Sequence, residues 1–259
     1  MMLTPKRLAA TLACAASTAF VALPATAQDG LSVTLGFGGT YAPSYFGADS
    51  YGLGPTGKLS VNGLSFGPLQ FGSPDPNAEK LGFGLRGAFR VIGDRKAKDN
   101  PELTGLTDLK TSVEIGFGLG YEATDWRAFA DLRYGVIGHE SMVAELGADW
   151  KAVSTPEFKL SVGPRLLYGS SRYTRTYFGV TAAETLTSGL ATYTPGAGLV
   201  SAGIEIAATY DLGNAWALEG TINYDRLQGD AADSPITALG SRDQGSVSLM
   251  LTRRFTFGY

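Results

Sequence analysis

The chain has 259 residues, 17% of them charged, and a formal net charge of −3. That acidic balance argues against nucleic acid as a partner, and the absence of a run of about 20 apolar residues excludes a helical membrane protein. With one cysteine (Cys14) and one histidine (His139), no disulfide, zinc cluster or other cofactor site is expected.

The chain opens with Lys6 and Arg7, an apolar stretch over 8–23, and Ala25, Thr26 and Ala27. These are the basic, apolar and small-residue parts of a signal peptide over 1–27, cleaved after Ala27. The apolar stretch is too short and wrongly flanked for an anchor. Thr11 stands where a lipoprotein signal would carry Leu. Without Lys6 and Arg7, 19 of the 21 basic residues face 24 acidic ones, a net charge near −5.

From 28 to 259 the pattern is alternation. Segments 31–41 and 81–91 alternate apolar with small or polar residues. Over 111–121 the odd positions run from Thr111 through Val113, Ile115, Phe117 and Leu119 to Tyr121. The even ones from Ser112 to Glu122 are serine, glutamate and glycine. The same alternation recurs over 126–136, 142–152, 158–168, 200–212, 216–224 and 247–259. Each segment is about ten residues, what a tilted strand needs to cross a membrane, whereas soluble strands average five or six. Apolar side chains would then meet lipid and the others fill a lumen.

The connections alternate in length. Short turns over 123–125, 154–156 and 213–214 read as periplasmic; longer links over 93–110, 138–141, 170–199 and 228–243 read as extracellular. Tyr121, Trp126, Trp150, Tyr168, Tyr210, Trp216 and Tyr224 cluster near strand ends, as interfacial girdles do. The fold class is therefore all-β: a single up-and-down antiparallel transmembrane β-barrel. Twelve strands are expected if residues 64–71 supply two short ones. Ten is the alternative, with 64–71 as a periplasmic or edge excursion.

Inside loop 170–199, Thr181 and Glu184 make a capping-box pattern, so 181–188 should form a short helix ended by Gly189. With Tyr173, Tyr177, Phe178 and Tyr193 as apolar anchors, the loop is a candidate lid over the barrel mouth. At the other end of the chain, Phe255, Phe257 and the terminal Tyr259 alternate onto one face. A bare aromatic edge suits a closed barrel in lipid, not a soluble sheet.

Lumen-facing positions carry both signs: Arg86, Arg90, Glu114, Arg127, Asp131, Arg133, Glu145, Asp149, Lys151, Arg165, Glu205, Glu219 and Arg254. So dense a mixture should pair internally and favour a narrow or occluded lumen over an open porin, with a selective small pore as the other reading. His139, Glu140 and Ser141 suggest hydrolase chemistry, but neighbouring residues hold no preset triad geometry. A polar extracellular turn is the simpler reading.

Several stretches resemble a known family. Asp225 to Ile236 (DRLQGDAADSPI), with Asp230, Asp233, Ser234 and Pro235, looks like the penultimate-loop signature of the MltA-interacting protein (MipA/OmpV) family. Thr176 to Val180 (TYFGV), Ser188 to Leu190, Tyr193 and Gly196 to Gly198 match its long-loop pattern. Ala144 to Asp149, Gly138 with His139, and Asp99 to Pro101 also fit, whereas 52–80 departs most. The final residues resemble the assembly signal of outer-membrane barrels. The resemblance covers essentially 31–259. It implies a non-enzymatic outer-membrane protein, with the barrel assembly machinery and lipid as partners. Its named member is a scaffold joining a lytic transglycosylase to a murein synthase; other members are discussed as adhesins, porin-like or antibiotic-responsive proteins.

Overall fold

The computed structural model describes residues 30–258 except 67–68 and 73–80, with the backbone alone for 69–72. The expected signal peptide and the terminal Tyr259 lie outside the described residues. The strands in order are β1 (Gly30–Pro43), β2 (Tyr51–Phe66), β3 (Leu69–Gly72), β4 (Gly82–Ile92), β5 (Ser112–Glu122), β6 (Trp126–Ile137), β7 (Met142–Ser154), β8 (Phe158–Gly169), β9 (Gly198–Gly213), β10 (Trp216–Leu227) and β11 (Asp243–Phe257). Between β8 and β9 lie α1 (Ser171–Phe178) and α2 (Ala182–Ser188); α3 (Gly229–Ala232) follows β10. No helix among the described residues is long and apolar enough to cross a membrane.

All strands join one antiparallel sheet in the order β3-β2-β1-β11-β10-β9-β8-β7-β6-β5-β4. The first long strand pairs with the last, from Leu31 opposite Phe257 to Tyr41 opposite Val247. The sheet thus curls into a nearly closed barrel whose two edges, β2 with its short companion β3 and β4, run side by side. Ten strands of 11 to 16 residues span it.

Ten is the alternative count, and the expectation of twelve is corrected. β2 continues through Phe66, and the chain reverses so that Leu69–Gly72 folds back on Gly63–Phe66. Four residues cannot cross a bilayer. The paired stretches Gly63–Phe66 and Leu69–Gly72 are therefore a short excursion at the end that also carries the turns over 123–125, 155–157 and 214–215.

The outward face is apolar. Phe37, Phe83 and Phe117 are 69%, 84% and 70% exposed, and each would stabilise the protein by about 1.5–3 kcal/mol if removed from water. A continuous belt of such residues exceeds what a water-soluble monomer shows, so the medium it fits is hydrocarbon. The two buried apolar clusters lie instead at the long-loop end, where loops pack on one another. Between Gly213 and Trp216 the hairpin is tight, with positive φ at Asn214 and Ala215 (53° and 65°). That is the turn whose twist matches paired strands.

Candidate functional site

The site is the lumen and the loops that stop it. Alternation places the expected charges inward, and cross-strand register brings them together. Arg127 Nε meets Asp149 Oδ2 at 2.7 Å, Arg165 Nη2 meets Asp149 Oδ1 at 2.8 Å and Glu205 Oε1 at 2.7 Å. Arg133 bridges Glu114 at 2.8 Å and Glu145 at 2.7 Å. Arg86 pairs with Asp131 at 2.9 Å, and Lys151 with Glu122 at 2.7 Å. Lys58, on the stretch that departs most from the family pattern, holds Glu219 at 2.6 Å. Arg90 lies over the Phe46 ring, 5.5 Å from its centre. Arg254 stands on β11 opposite buried Thr34.

Lys58 and Glu122 belong with these residues although the sequence reading did not single them out. Lys58 was hidden among glycine and proline, yet the alternation of Thr56, Lys58 and Ser60 carried the signal. A ring of apolar support sits among the charges: Phe129 has the Arg86 guanidinium 3.8 Å and the Arg165 guanidinium 5.1 Å from its ring centre. Gly147 makes room for it, since a Cβ there would lie 2.3 Å from Phe129 Cζ.

Among the described residues, two chambers are found within the lumen. One, of about 620 Å³, is lined by Arg86, Arg127, Asp131, Lys151 and Glu219 toward the short-turn end. The other, of about 480 Å³, reaches Tyr45, Phe46, Arg90 and Asp225 beneath the long loops. Phe89, Glu145, Arg165, Glu205 and Met250 line both.

The long-loop end is stopped by α1. Tyr173, Tyr177 and Phe178 are buried against Val143, Leu167, Val200 and Leu227 of the barrel rim. The α1 helix was not expected from sequence. Its i, i+4 tyrosines are the usual signal, but eight residues with two threonines and two arginines blur it. Tyr177 donates to Ser112 Oγ at 2.9 Å, and Arg95 donates to the Tyr177 carbonyl at 2.9 Å. Burial pushes the Tyr177 hydroxyl up to about 12, so it remains a neutral donor.

The expected helix forms as α2, one residue later at its start, with the Thr181–Glu184 capping box present and Gly189 closing it at φ 74°. It buries no residue of its own and lies outside α1. Glu184 also accepts from the Thr107 N–H at 2.9 Å, which ties α2 to the link after β4. Tyr193 pairs with Val180 through two backbone bonds.

The resembling loop after β10 meets the same plug. Ser234 Oγ donates to the Phe178 carbonyl at 2.6 Å, Asp230 accepts from the Gly196 N–H at 2.7 Å, and Tyr193 donates to the Asp230 carbonyl. Asp233 pairs with Arg242 at 3.1 Å on the surface. Pro235 precedes Ile236, which is fully buried in the second loop cluster with Val180, Leu103 and Tyr45.

His139 and Ser141 do meet. His139 Nδ1 lies 2.6 Å from Ser141 Oγ, and Nε2 lies 3.2 Å from Glu114 Oε1, while Glu140 turns away to Arg172. The third group of a triad-like chain is thus Glu114, not its neighbour. Ser141 is only 4% exposed, the imidazole stands edge-on to the Tyr173 ring, and Ser141 lines neither chamber. Gly135 lies flat beneath the imidazole, where a Cβ would come within 2.4 Å. Phe255 and Phe257 lie at the short-turn end of β11, with Phe257 57% exposed.

The family model described as MltA-interacting protein MipA matches residues 35–255. No curated protein matches the chain. Among solved structures, the chain is similar to an outer-membrane channel from Pseudomonas putida F1, at 12% identity and a TM-score of 0.43, covering 90% of this chain and 97% of that one. It is also similar to the NanC porin, at 8% identity and a TM-score of 0.37, covering 86% and 98%. The attachment invasion locus protein Ail of Yersinia pestis aligns at 10% identity and 0.26, covering 88% and 99%.

Proposed function

The chain belongs to the MltA-interacting protein family, and from that membership we propose that it is an outer-membrane barrel without catalytic activity that scaffolds murein synthesis and hydrolysis. The observation that supports this reading over a porin is the stopped mouth. Tyr173 and Phe178 show no exposed surface, and three loops interlock across them. The partners are a lytic transglycosylase and a murein synthase, reached from the periplasmic side. A cleaved signal peptide over 1–27 brings the chain to the envelope. Its aromatic final residues, Phe255, Phe257 and Tyr259, recruit the barrel assembly machinery. Pull-down of the tagged, crosslinked protein from native outer membranes tests the proposal. Specific recovery of either murein enzyme supports it, whereas recovery of assembly factors and abundant neighbours alone removes it.

A narrow channel is the second reading, because chambers of about 620 and 480 Å³ adjoin within one lumen. The loop over 170–199 would then be its lid. An enzyme is a third and weaker one. The buried Ser141–His139–Glu114 chain fits better as a latch between the β5–β6 wall and the plug. Replacing His139 or Ser141 with alanine should leave the outer-membrane lipid pattern unchanged.

A further inference from the structure

The meridian where the barrel fails to close differs from the rest of its wall. β2 and β4 run side by side, yet among the described residues no ladder pairs them. β3 takes only Gly63–Phe66 of β2's outer edge, leaving 51–62 without a strand partner on that side. Pro55 marks β2 as an edge in its own chemistry, since a proline has no N–H for a second ladder. Glycines 54 and 84 border the gap, and a Cβ at either would meet nothing within 4 Å. Val61 and Gly87 meet across it, where a Cβ on Gly87 would lie 4.0 Å from Val61 Cβ.

Unpaired backbone groups facing hydrocarbon cost several kcal/mol each, so a membrane barrel does not keep such a seam dry. Here its inner side opens on the lumen. Gly57 to Ser60 of β2 and Arg86 to Phe89 of β4 line the larger chamber, and Thr56, Gly57 and residues 89–92 line the smaller one. Chemistry changes sharply across it. Leu59, Val61, Phe83 and Leu85 point outward from its lips and are exposed. Lys58 and Arg86 point inward, one on each lip. Their side chains are 38% and 36% exposed, whereas the carboxylates behind them, Glu219 and Asp131, are at 14% and 4%. The seam therefore offers cations forward and apolar surface outside.

We propose that this seam is a lateral portal through which the anionic headgroup of a membrane lipid enters the lumen, received by Lys58 and Arg86 while its acyl chains stay in the bilayer. The plug formed by α1 closes the route from the long-loop end, and the sideways route needs no movement of it. The inference rests on placement of the barrel in a lipid bilayer and not on the scaffold role. Loss of the murein partners in a pull-down would leave it standing.

The test is a disulfide lock. With Cys14 lost in the proposed cleavage after Ala27, Val61→Cys with Gly87→Cys supplies the mature chain's two thiols at a Cβ separation within the bonding range of about 3.5–4.5 Å. The full chain is purified from outer membranes and reconstituted in vesicles holding phosphatidylglycerol with a photoreactive headgroup, and adducts are mapped by mass spectrometry. Adducts should fall on lumen residues such as Phe129 and Met250, drop at least tenfold on oxidation, and return on reduction. Equal lumen labelling in the locked and reduced protein, or labelling of outward residues alone, would overturn the portal. A headgroup probe lacking acyl chains separates a free phosphate from a lipid. Its labelling should not respond to the lock, and a response matching the lipid's would overturn lateral entry from the bilayer. Lys58→Gln with Arg86→Gln needs no disulfide. It should reduce phosphatidylglycerol labelling to the level of a phosphatidylcholine probe, and unchanged labelling would remove these two residues and the proposal with them.

Discussion

Ser234 has no exposed surface, accepts from the Ile236 N–H at 3.1 Å and donates to the Phe178 carbonyl at 2.6 Å. Ser234→Ala strips a buried carbonyl of its donor, which costs about 1–3 kcal/mol. We expect a lower urea midpoint for the loop-end transition, read by intrinsic fluorescence, with the barrel's own transition little changed. Glu184 gives a pH dependence. Burial alone would raise its carboxyl, but hydrogen bonds from the backbone and hydroxyl of Thr181 and from the Thr107 N–H outweigh it and hold it at about 2. Its folded value lies below the unfolded value of about 4.3. The stabilisation is therefore complete above that value and is lost as pH falls toward 2. Amide exchange in α2, corrected for the intrinsic pH dependence, should be flat from pH 7 to 5 and quicken below about 4. Glu184→Gln should abolish that dependence; its persistence would assign it to another group.

At the scale of elements, the capping box and Gly189 were readable because a helix end is local chemistry. α1 was not readable, because eight residues cannot hold a helix alone and this one is held by the rim around it. The two helices make different predictions. Replacing residues 171–178 with a glycine-serine linker should raise single-channel conductance, since Tyr173, Tyr177 and Phe178 fill the mouth. Deleting 181–189 should leave conductance near that of the intact protein, because α2 buries nothing. Equal conductance from the linker variant and the intact barrel would mean that the lumen is blocked elsewhere. The short β3 teaches the same lesson from the sheet side. Residues 64–71 alternate well enough for strands, but whether a strand spans or folds back depends on its partner's length.

For the molecule as a whole, the charge chain Arg127–Asp149–Arg165–Glu205 crosses four strands, from β6 through β7 and β8 to β9. Asp149 is 2% exposed, and Arg165 is 7% exposed. Asp149→Asn leaves two guanidinium groups short of a carboxylate; breaking a buried pair costs about 3–5 kcal/mol, less here because Arg127 stays partly solvated. The temperature at which the folded band disappears in unheated gels should fall measurably. Restoration by Arg127→Gln in the same chain would show that the lost partner, not a packing change, caused the fall.

The sequence by itself determined the class of fold and the family. Each follows from a period of two or from a local motif, and neither needs knowledge of what lies across the barrel. Only tertiary structure decided the rest. The union of His139 with Glu114, the insertion of α1 into the mouth, and the seam between β2 and β4 join residues 25 or more positions apart or depend on a missing partner. Alternation states which side a residue faces, whereas register and closure state whom it meets.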